Sequence, residues 1–163
     1  MTQPIHVGMA DLVVSKHPAT LITLGLGSCI GLVVFDQVSK TAGMVHIMLP
    51  DSREAQNLPK PGKFADTAVP LLLEELYKLG AVKVQLRAKM AGGAQMFSIP
   101  GKADNAIFAV GNRNIEATTK MLGAAGIRLL SSDTGGSKGR SVEFSTDTLK
   151  FIVKTLGTGT KEI

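Results

Sequence analysis

The sequence predicts an α+β fold built on a mixed β-sheet. Short apolar runs typical of strands recur along the 163 residues, whereas only two stretches place apolar residues at helical spacing. Several of the strand-like runs are separated by short polar loops and therefore pair as local hairpins. A doubly wound parallel sheet joins its strands through helices, so the hairpins favour the α+β class.

Four strand-like runs occupy the first third of the chain. Residues 5–14 read as one strand with a kink near Gly8, and residues 20–24 read as a second strand. Residues 30–35 are almost wholly apolar, which is typical of a strand buried on both faces. Residues 42–48 are apolar again after a polar loop, so the last two runs form an antiparallel hairpin.

Two helices are predicted, at about 65–79 and 112–125. Asp66 or Thr67 caps the first helix, and Pro70 then falls in the first turn, where a missing N–H group is harmless. The apolar face of the second helix consists of Ile115, Thr119, Leu122 and Ala125. Further strands are predicted at 82–88, 127–130, 142–145 and 149–153, and residues 157–163 are expected to be frayed.

Composition narrows the class of protein. The length and the 44% apolar content predict one globular domain over residues 1–163. The chain has one cysteine, no signal-peptide pattern and no long uncharged apolar run, so we expect a cytoplasmic protein without membrane insertion. The net charge is +5, but the basic residues are scattered and tryptophan is absent, so nucleic-acid binding is not expected.

Three glycine-rich turns, at 25–31, 91–97 and 133–140, invite a nucleotide-binding interpretation. The first misses the dinucleotide-binding spacing by one residue, and the last lacks the spacing of a phosphate-binding loop. Tight turns between strands explain all three. Metal ligation is not expected either, because three histidines and one cysteine without a ligand-like spacing are the whole His/Cys stock. We therefore predict no cofactor.

The first glycine turn presents the single cysteine, Cys29, and His46 lies on the next strand. Considered by itself, Cys29 fits a small buried apolar side chain as well as it fits a nucleophile. A histidine such as His46, considered by itself, is more often a hydrogen-bonded core residue than a base. Together with the hydroxyl of Thr23 just upstream, they form a candidate nucleophile, base and orienting group.

The hairpin register decides whether Cys29 and His46 meet. If the loop is centred on Val38 and Ser39, paired positions sum to 77, so Cys29 faces Met48 and His46 sits diagonally on the same face. An even sum would place the two side chains on opposite faces of the sheet.

Five segments together resemble the chemoreceptor glutamine deamidases of bacterial chemotaxis, the CheD family. They are LGLGSCIG at 24–31, GMVHIMLP at 43–50, KMAGGAQMF at 89–97, GNRN at 111–114 and DTGGSKGR at 133–140 followed by Phe144. Ala91 stands where the family usually has an aromatic residue, and Leu149 where a glycine is common. Neither departure touches the candidate triad.

The resemblance implies a layered fold similar to toxin-type cysteine deamidases. It implies Cys29 as nucleophile, His46 as general base and Thr23 as the residue that orients His46. The implied substrate is a glutamine on the cytoplasmic helices of methyl-accepting chemotaxis receptors, which becomes glutamate through a cysteine thioester and can then be methylated during adaptation. A CheC-type phosphatase is the second implied partner, and the free protein is expected to be a monomer. The alternative is a regulatory binding module that engages CheC and receptors with little catalysis.

Overall fold

A computed structural model describes residues 3–55, 60–96 and 109–163. In these ranges the elements follow one another as β1 (Ile5–His6), β2 (Leu12–Ser15), β3 (Thr20–Leu26), β4 (Ile30–Asp36), β5 (Ala42–Ile47), α1 (Ala65–Lys78), β6 (Leu86–Gly92), α2 (Val110–Ala124), β7 (Arg128–Thr134), β8 (Arg140–Ser145), β9 (Phe151–Thr155) and β10 (Gly159–Glu162). Short 3-10 turns occur at Ser52–Glu54, Pro61–Lys63 and Lys83–Gln85.

The strands form two mixed sheets that stack with the helices as three layers. The outer sheet has the order β1-β3-β8-β9-β10, and the central sheet has the order β2-β5-β4-β6-β7. One face of the central sheet packs against α1 and α2, and its other face packs against the outer sheet. This arrangement confirms the predicted layered α+β fold. No helix in the described ranges is long and apolar enough to cross a membrane.

Strand β4 lies at the centre of both cores. Ile30, Leu32 and Val34 point into the helix-facing core, whereas Val33 and Phe35 point into the core between the sheets. All seven residues of the strand are buried. The apolar run was predicted to be a strand buried on both faces, and the structure confirms this because water reaches neither face of β4.

The β4–β5 hairpin has the predicted register. Ile30 pairs with Ile47 and Gly31 pairs with His46, so paired positions sum to 77. The hairpin turn is held by the buried carboxylate of Asp36, which accepts hydrogen bonds from the N–H groups of Val38, Ser39 and, across the molecule, Val82.

Two strand predictions and the expectation of a frayed C-terminal segment need correction. Residues 5–14 are two strands in different sheets, because the chain turns over between them, with a hydrogen bond from the Asp11 N–H to the Gly8 carbonyl. The predicted strand at 82–88 begins only at Leu86, after a 3-10 turn, and continues to Gly92. The C-terminal residues are not frayed, since β10 pairs antiparallel with β9.

The helix predictions are correct in extent and wrong in detail. Phe64 stands at the N-cap of α1, and the carboxylate of Asp66 instead accepts hydrogen bonds from Ser52. Pro70 lies inside α1, beyond the predicted first turn, and its side chain is exposed.

The face of α2 that is fully buried carries Gly111, Asn114, Thr118 and Leu122, while the predicted Thr119 is exposed. The helix begins at Val110, two residues before the predicted start at about 112.

Replacing Asp36 with alanine should lower the free energy of unfolding by about 2–4 kcal/mol at pH 7, because three N–H groups lose a charged acceptor that is itself fully buried. Burial alone would raise the pKa of Asp36, but the N–H donors of Val82, Ser39 and Val38 outweigh it and hold the pKa below its usual range. The stabilisation is therefore complete above the ordinary value of about 4 and is lost as the pH falls through the lowered pKa.

Urea unfolding of the wild type and Asp36→Ala at pH 7 and pH 3 measures this difference, which should narrow at pH 3. Asp147→Ala removes a carboxylate whose side chain is 72% exposed and should change the stability by less than about 0.5 kcal/mol. Equal losses in the two variants would contradict the assignment.

Candidate active site

The candidate nucleophile lies on a turn between β3 and β4 that is anchored through its backbone carbonyls. The Gly27 carbonyl accepts from the Ala94 N–H at 2.9 Å, and the Cys29 carbonyl accepts from the Gly93 N–H at 2.9 Å. The Ser28 carbonyl accepts from the side-chain amide of Asn114 at 2.9 Å. Three consecutive carbonyls are therefore held in place, while no acceptor in the described ranges takes the N–H groups of Ser28 and Cys29.

The close approach of this turn to β6 requires glycine. Gly92 has a φ of +113°, and a Cβ atom added there would lie 2.1 Å from the Cys29 carbonyl oxygen. A Cβ atom at Gly111 would meet the Ala94 and Gly93 carbonyl oxygens at 2.4 and 2.5 Å. The second glycine turn and the start of α2 thus form a surface, free of side chains, on which the Cys29 turn rests.

The Cys29 side chain is half-buried and packs at the margin of the core between the two sheets. His46 lies on β5 directly opposite Gly31 and is fully buried. Gly31 leaves the space through which β3 approaches, since a Cβ atom there would lie 3.2 Å from the Thr23 methyl group. The register therefore places Cys29 and His46 on the same face of the central sheet, as predicted.

Thr23 fixes the tautomer of His46. The Thr23 hydroxyl oxygen lies 2.6 Å from the Val7 carbonyl oxygen and 2.8 Å from His46 Nδ1. A carbonyl only accepts, so the single hydroxyl proton is donated to Val7, and Nδ1–H of His46 donates to Thr23. Nε2 is then the unprotonated nitrogen, with its lone pair available.

The structure joins Thr23 to His46 but does not join His46 to Cys29. His46 Nε2 is buried and has no hydrogen-bond partner, so the thiol does not bond to it in this state. Burial raises the pKa of the Cys29 thiol. Burial also lowers the pKa of His46 by more than the nearby Asp11 carboxylate raises it. Both groups are therefore neutral at pH 7 in the resting arrangement.

The sequence prediction assigned no role to two groups that contact the candidate site. The Val7 carbonyl was not predicted because backbone groups leave no signature in a side-chain pattern. Asn114 ends the GNRN segment, and its position on the buried face of α2, one helical turn after Gly111, is the signal that could have identified it.

We expect His46 to be neutral at pH 7.5, with its proton on Nδ1, and to titrate below its ordinary value of 6.5. Thr23→Val removes the acceptor of that proton and should shift the ring toward the Nε2–H tautomer, whereas Thr23→Ser should keep the Nδ1–H tautomer. Long-range ¹H–¹⁵N spectra of the imidazole measure both quantities. His6 and His17 serve as internal controls in the same spectra. An Nε2–H signal for His46 in the wild type would refute the assignment.

Comparison with known proteins agrees with the resemblance seen in the sequence. The protein-family model "CheD chemotactic sensory transduction" matches residues 48–155. The Clostridium novyi (strain NT) protein named "Probable chemoreceptor glutamine deamidase CheD" is 49% identical over 159 residues, covering 98% of this chain and 97% of the relative. A protein of the same name from Clostridium botulinum strain Hall is 48% identical over the same shares of the two chains. The chain belongs to the CheD family.

Proposed function

We propose that this protein deamidates glutamine side chains of chemotaxis receptors, using Cys29 as nucleophile, His46 as general base and Thr23 as the residue that orients His46. The observation that carries the proposal is the buried Thr23–His46 hydrogen bond, which leaves Nε2 as an unpartnered base on the face that also carries Cys29. The names of the curated relatives support glutamine as the substrate side chain.

The first step is attack of the Cys29 sulfur on the carboxamide carbon of the substrate. His46 Nε2 takes the thiol proton as the S–C bond forms, and the carbonyl π electrons move onto the oxygen. The N–H groups of Ser28 and Cys29, which have no acceptor among the described residues, are the candidate donors to this oxyanion. A single lost donor of this kind typically costs about 3–4 kcal/mol of barrier.

The second step passes this proton to the leaving group, and the third step returns a proton from water to the sulfur. As the oxyanion collapses, the C–N bond breaks and the imidazolium protonates the leaving nitrogen, which departs as ammonia. Neutral His46 then takes a proton from water, whose oxygen attacks the thioester carbon. The C–S bond breaks, the sulfur recovers its proton from His46, and the side chain is released as glutamate.

The electrostatics favour proton transfer during attack over a stored thiolate. Burial disfavours both charged partners before the substrate arrives, so the resting pair is neutral thiol and neutral imidazole. The lowered pKa of His46 keeps this base unprotonated at neutral pH. The oxyanion donors then stabilise the negative charge that develops on the substrate oxygen. Thr23 stabilises the imidazolium by accepting the hydrogen bond from Nδ1–H.

The product fits a role in adaptation, because glutamate carries the carboxylate that receptor methylation requires. The substrate glutamine lies on cytoplasmic receptor helices in this proposal, so the protein acts in the cytoplasm. Its net charge of +5 suits acidic partners.

The raised pKa of the Cys29 thiol favours a second candidate function, a regulatory module with little catalysis that binds a CheC-type phosphatase. If binding is the main function, Cys29→Ala should capture CheC as well as the wild type does, and both should change its phosphatase activity. A pull-down with purified CheC and a phosphate-release assay measure this. Unchanged phosphatase activity on addition of either protein would exclude the regulatory role.

The deamidase proposal predicts a mass increase of about 1 Da at glutamine in a receptor cytoplasmic fragment, read by peptide mass spectrometry. Cys29→Ala and His46→Gln should each lower the rate by at least about 1,000-fold, since nucleophile and base act as one unit. His17→Gln changes a histidine in the loop between β2 and β3, whose Nδ1 lies 2.8 Å from Thr146 Oγ1, and should keep the wild-type rate within twofold. An unshifted fragment with the wild type would reject the proposal for that receptor.

The same assay tests the pKa of the base. The value of kcat/KM should fall on the acid side with a midpoint below 6.5, because protonation of His46 removes the base. A midpoint above 6.5 would show that a different group limits the reaction.

A further inference from the structure

The side chain of Asn114 contacts the nucleophile turn from the helix layer. It is fully buried, and its Nδ2 group donates both to the Ser28 carbonyl at 2.9 Å and to the Met48 carbonyl at 3.0 Å. These carbonyls belong to the residue before the candidate nucleophile and to the second residue after the candidate base. One amide group therefore ties together the two chain segments that carry the site.

The bond to Ser28 has a geometric consequence for Cys29. The Ser28 carbonyl and the Cys29 N–H belong to the same planar trans peptide, in which they point in opposite directions. Because Asn114 holds the carbonyl toward α2, the Cys29 N–H is turned away from the helix layer, toward the side of the central sheet on which the thiol packs. This N–H is one of the two candidate donors to the oxyanion.

The neighbouring peptides of the turn are fixed by backbone groups instead. The Ala94 N–H holds the Gly27 carbonyl, and the Gly93 N–H holds the Cys29 carbonyl. Within the described ranges, Asn114 is the only side chain that bonds to a carbonyl of this turn. A substitution at position 114 can therefore release the Ser28–Cys29 peptide without altering the other two anchors.

A purely structural reason for asparagine at this position is weak. The Oδ1 atom of Asn114 is buried without a hydrogen-bond partner, which costs stability. Thr118, one turn later on the same buried face, also lacks a partner for its hydroxyl and contacts neither carbonyl. The two residues share burial and an unsatisfied polar atom, and they differ in the bonds to the nucleophile turn.

We propose that Asn114 is a positioning residue for deamidation, which aims the Cys29 N–H at the oxyanion by holding the Ser28 carbonyl. This inference rests on the proposed function. Asn114 touches no reacting atom, so its loss acts on the barrier to attack and leaves substrate docking and the intrinsic reactivity of the thiol unchanged.

The test measures kcat and KM for the receptor fragment, together with the rate of Cys29 alkylation by iodoacetamide from pH 6 to 9. For Asn114→Ala we expect kcat to fall about 10- to 100-fold, less than for outright loss of an oxyanion donor, with KM within threefold. Alkylation forms no oxyanion, so its rate and pH profile should stay within twofold of the wild type.

Asn114→Asp preserves the shape of the side chain and replaces the donating amide with a carboxyl group. Its kcat should also fall, while its rate of Cys29 alkylation at pH 8 should stay within twofold of the wild type. Thr118→Val is the matched control, and its kcat should stay within twofold of the wild type. Circular dichroism and thermal unfolding establish that each variant is folded.

A wild-type kcat in both Asn114 variants would overturn the inference while leaving the deamidase proposal intact. A parallel fall of kcat and alkylation, an equal loss in Thr118→Val, or failure of both Asn114 variants to fold would also overturn it. Each of these outcomes would make Asn114 a residue of the fold or of the thiol environment. An inactive wild type would remove the proposed function itself, and with it this inference.

Discussion

The register of the β4–β5 hairpin is the constraint on which the site depends. Pairing of Gly31 with His46 places the imidazole on the face that carries Cys29, in the core between the two sheets. A shift of one residue would turn His46 into the helix layer and replace it with an apolar neighbour. The Asp36 carboxylate at the hairpin turn helps to hold this register, although it lies at the far end of β4 from the thiol.

Segments far apart in the sequence converge on the turn that carries Cys29. Gly92 and Gly93 approach it through bare backbone, and Gly111 lets α2 pack against that backbone. The late glycine turn supports the same region, because the Gly135 N–H and the Arg140 guanidinium both donate to the Gly92 carbonyl. The glycines are therefore explained by close backbone approach to the Cys29 turn, in agreement with their failure to match nucleotide-binding spacings.

The electrostatic design of the site is a neutral pair with a fixed tautomer. Burial opposes charge on both Cys29 and His46, and the Thr23 hydroxyl determines which imidazole nitrogen is free. Such a site does not store a reactive thiolate between turnovers. In the proposed mechanism, the charges that develop during attack are stabilised by the backbone donors of the Cys29 turn and by the acceptor for Nδ1–H.

Local pattern determined the parts of this protein that depend on neighbours in sequence. Spacing predicted the apolar run of β4, the hairpin register and the extent of both helices. The candidate triad of Cys29, His46 and Thr23 was predicted from spacing and from the family resemblance, and it stays a prediction. Only the tertiary structure decided that residues 5–14 divide between two sheets, that β10 pairs with β9, and that Asn114 reaches the Cys29 turn. The tautomer of His46 also belongs to this second group, because it depends on the Val7 carbonyl. Periodicity records which face of an element is buried, whereas these contacts join groups whose separation along the chain leaves no periodic trace.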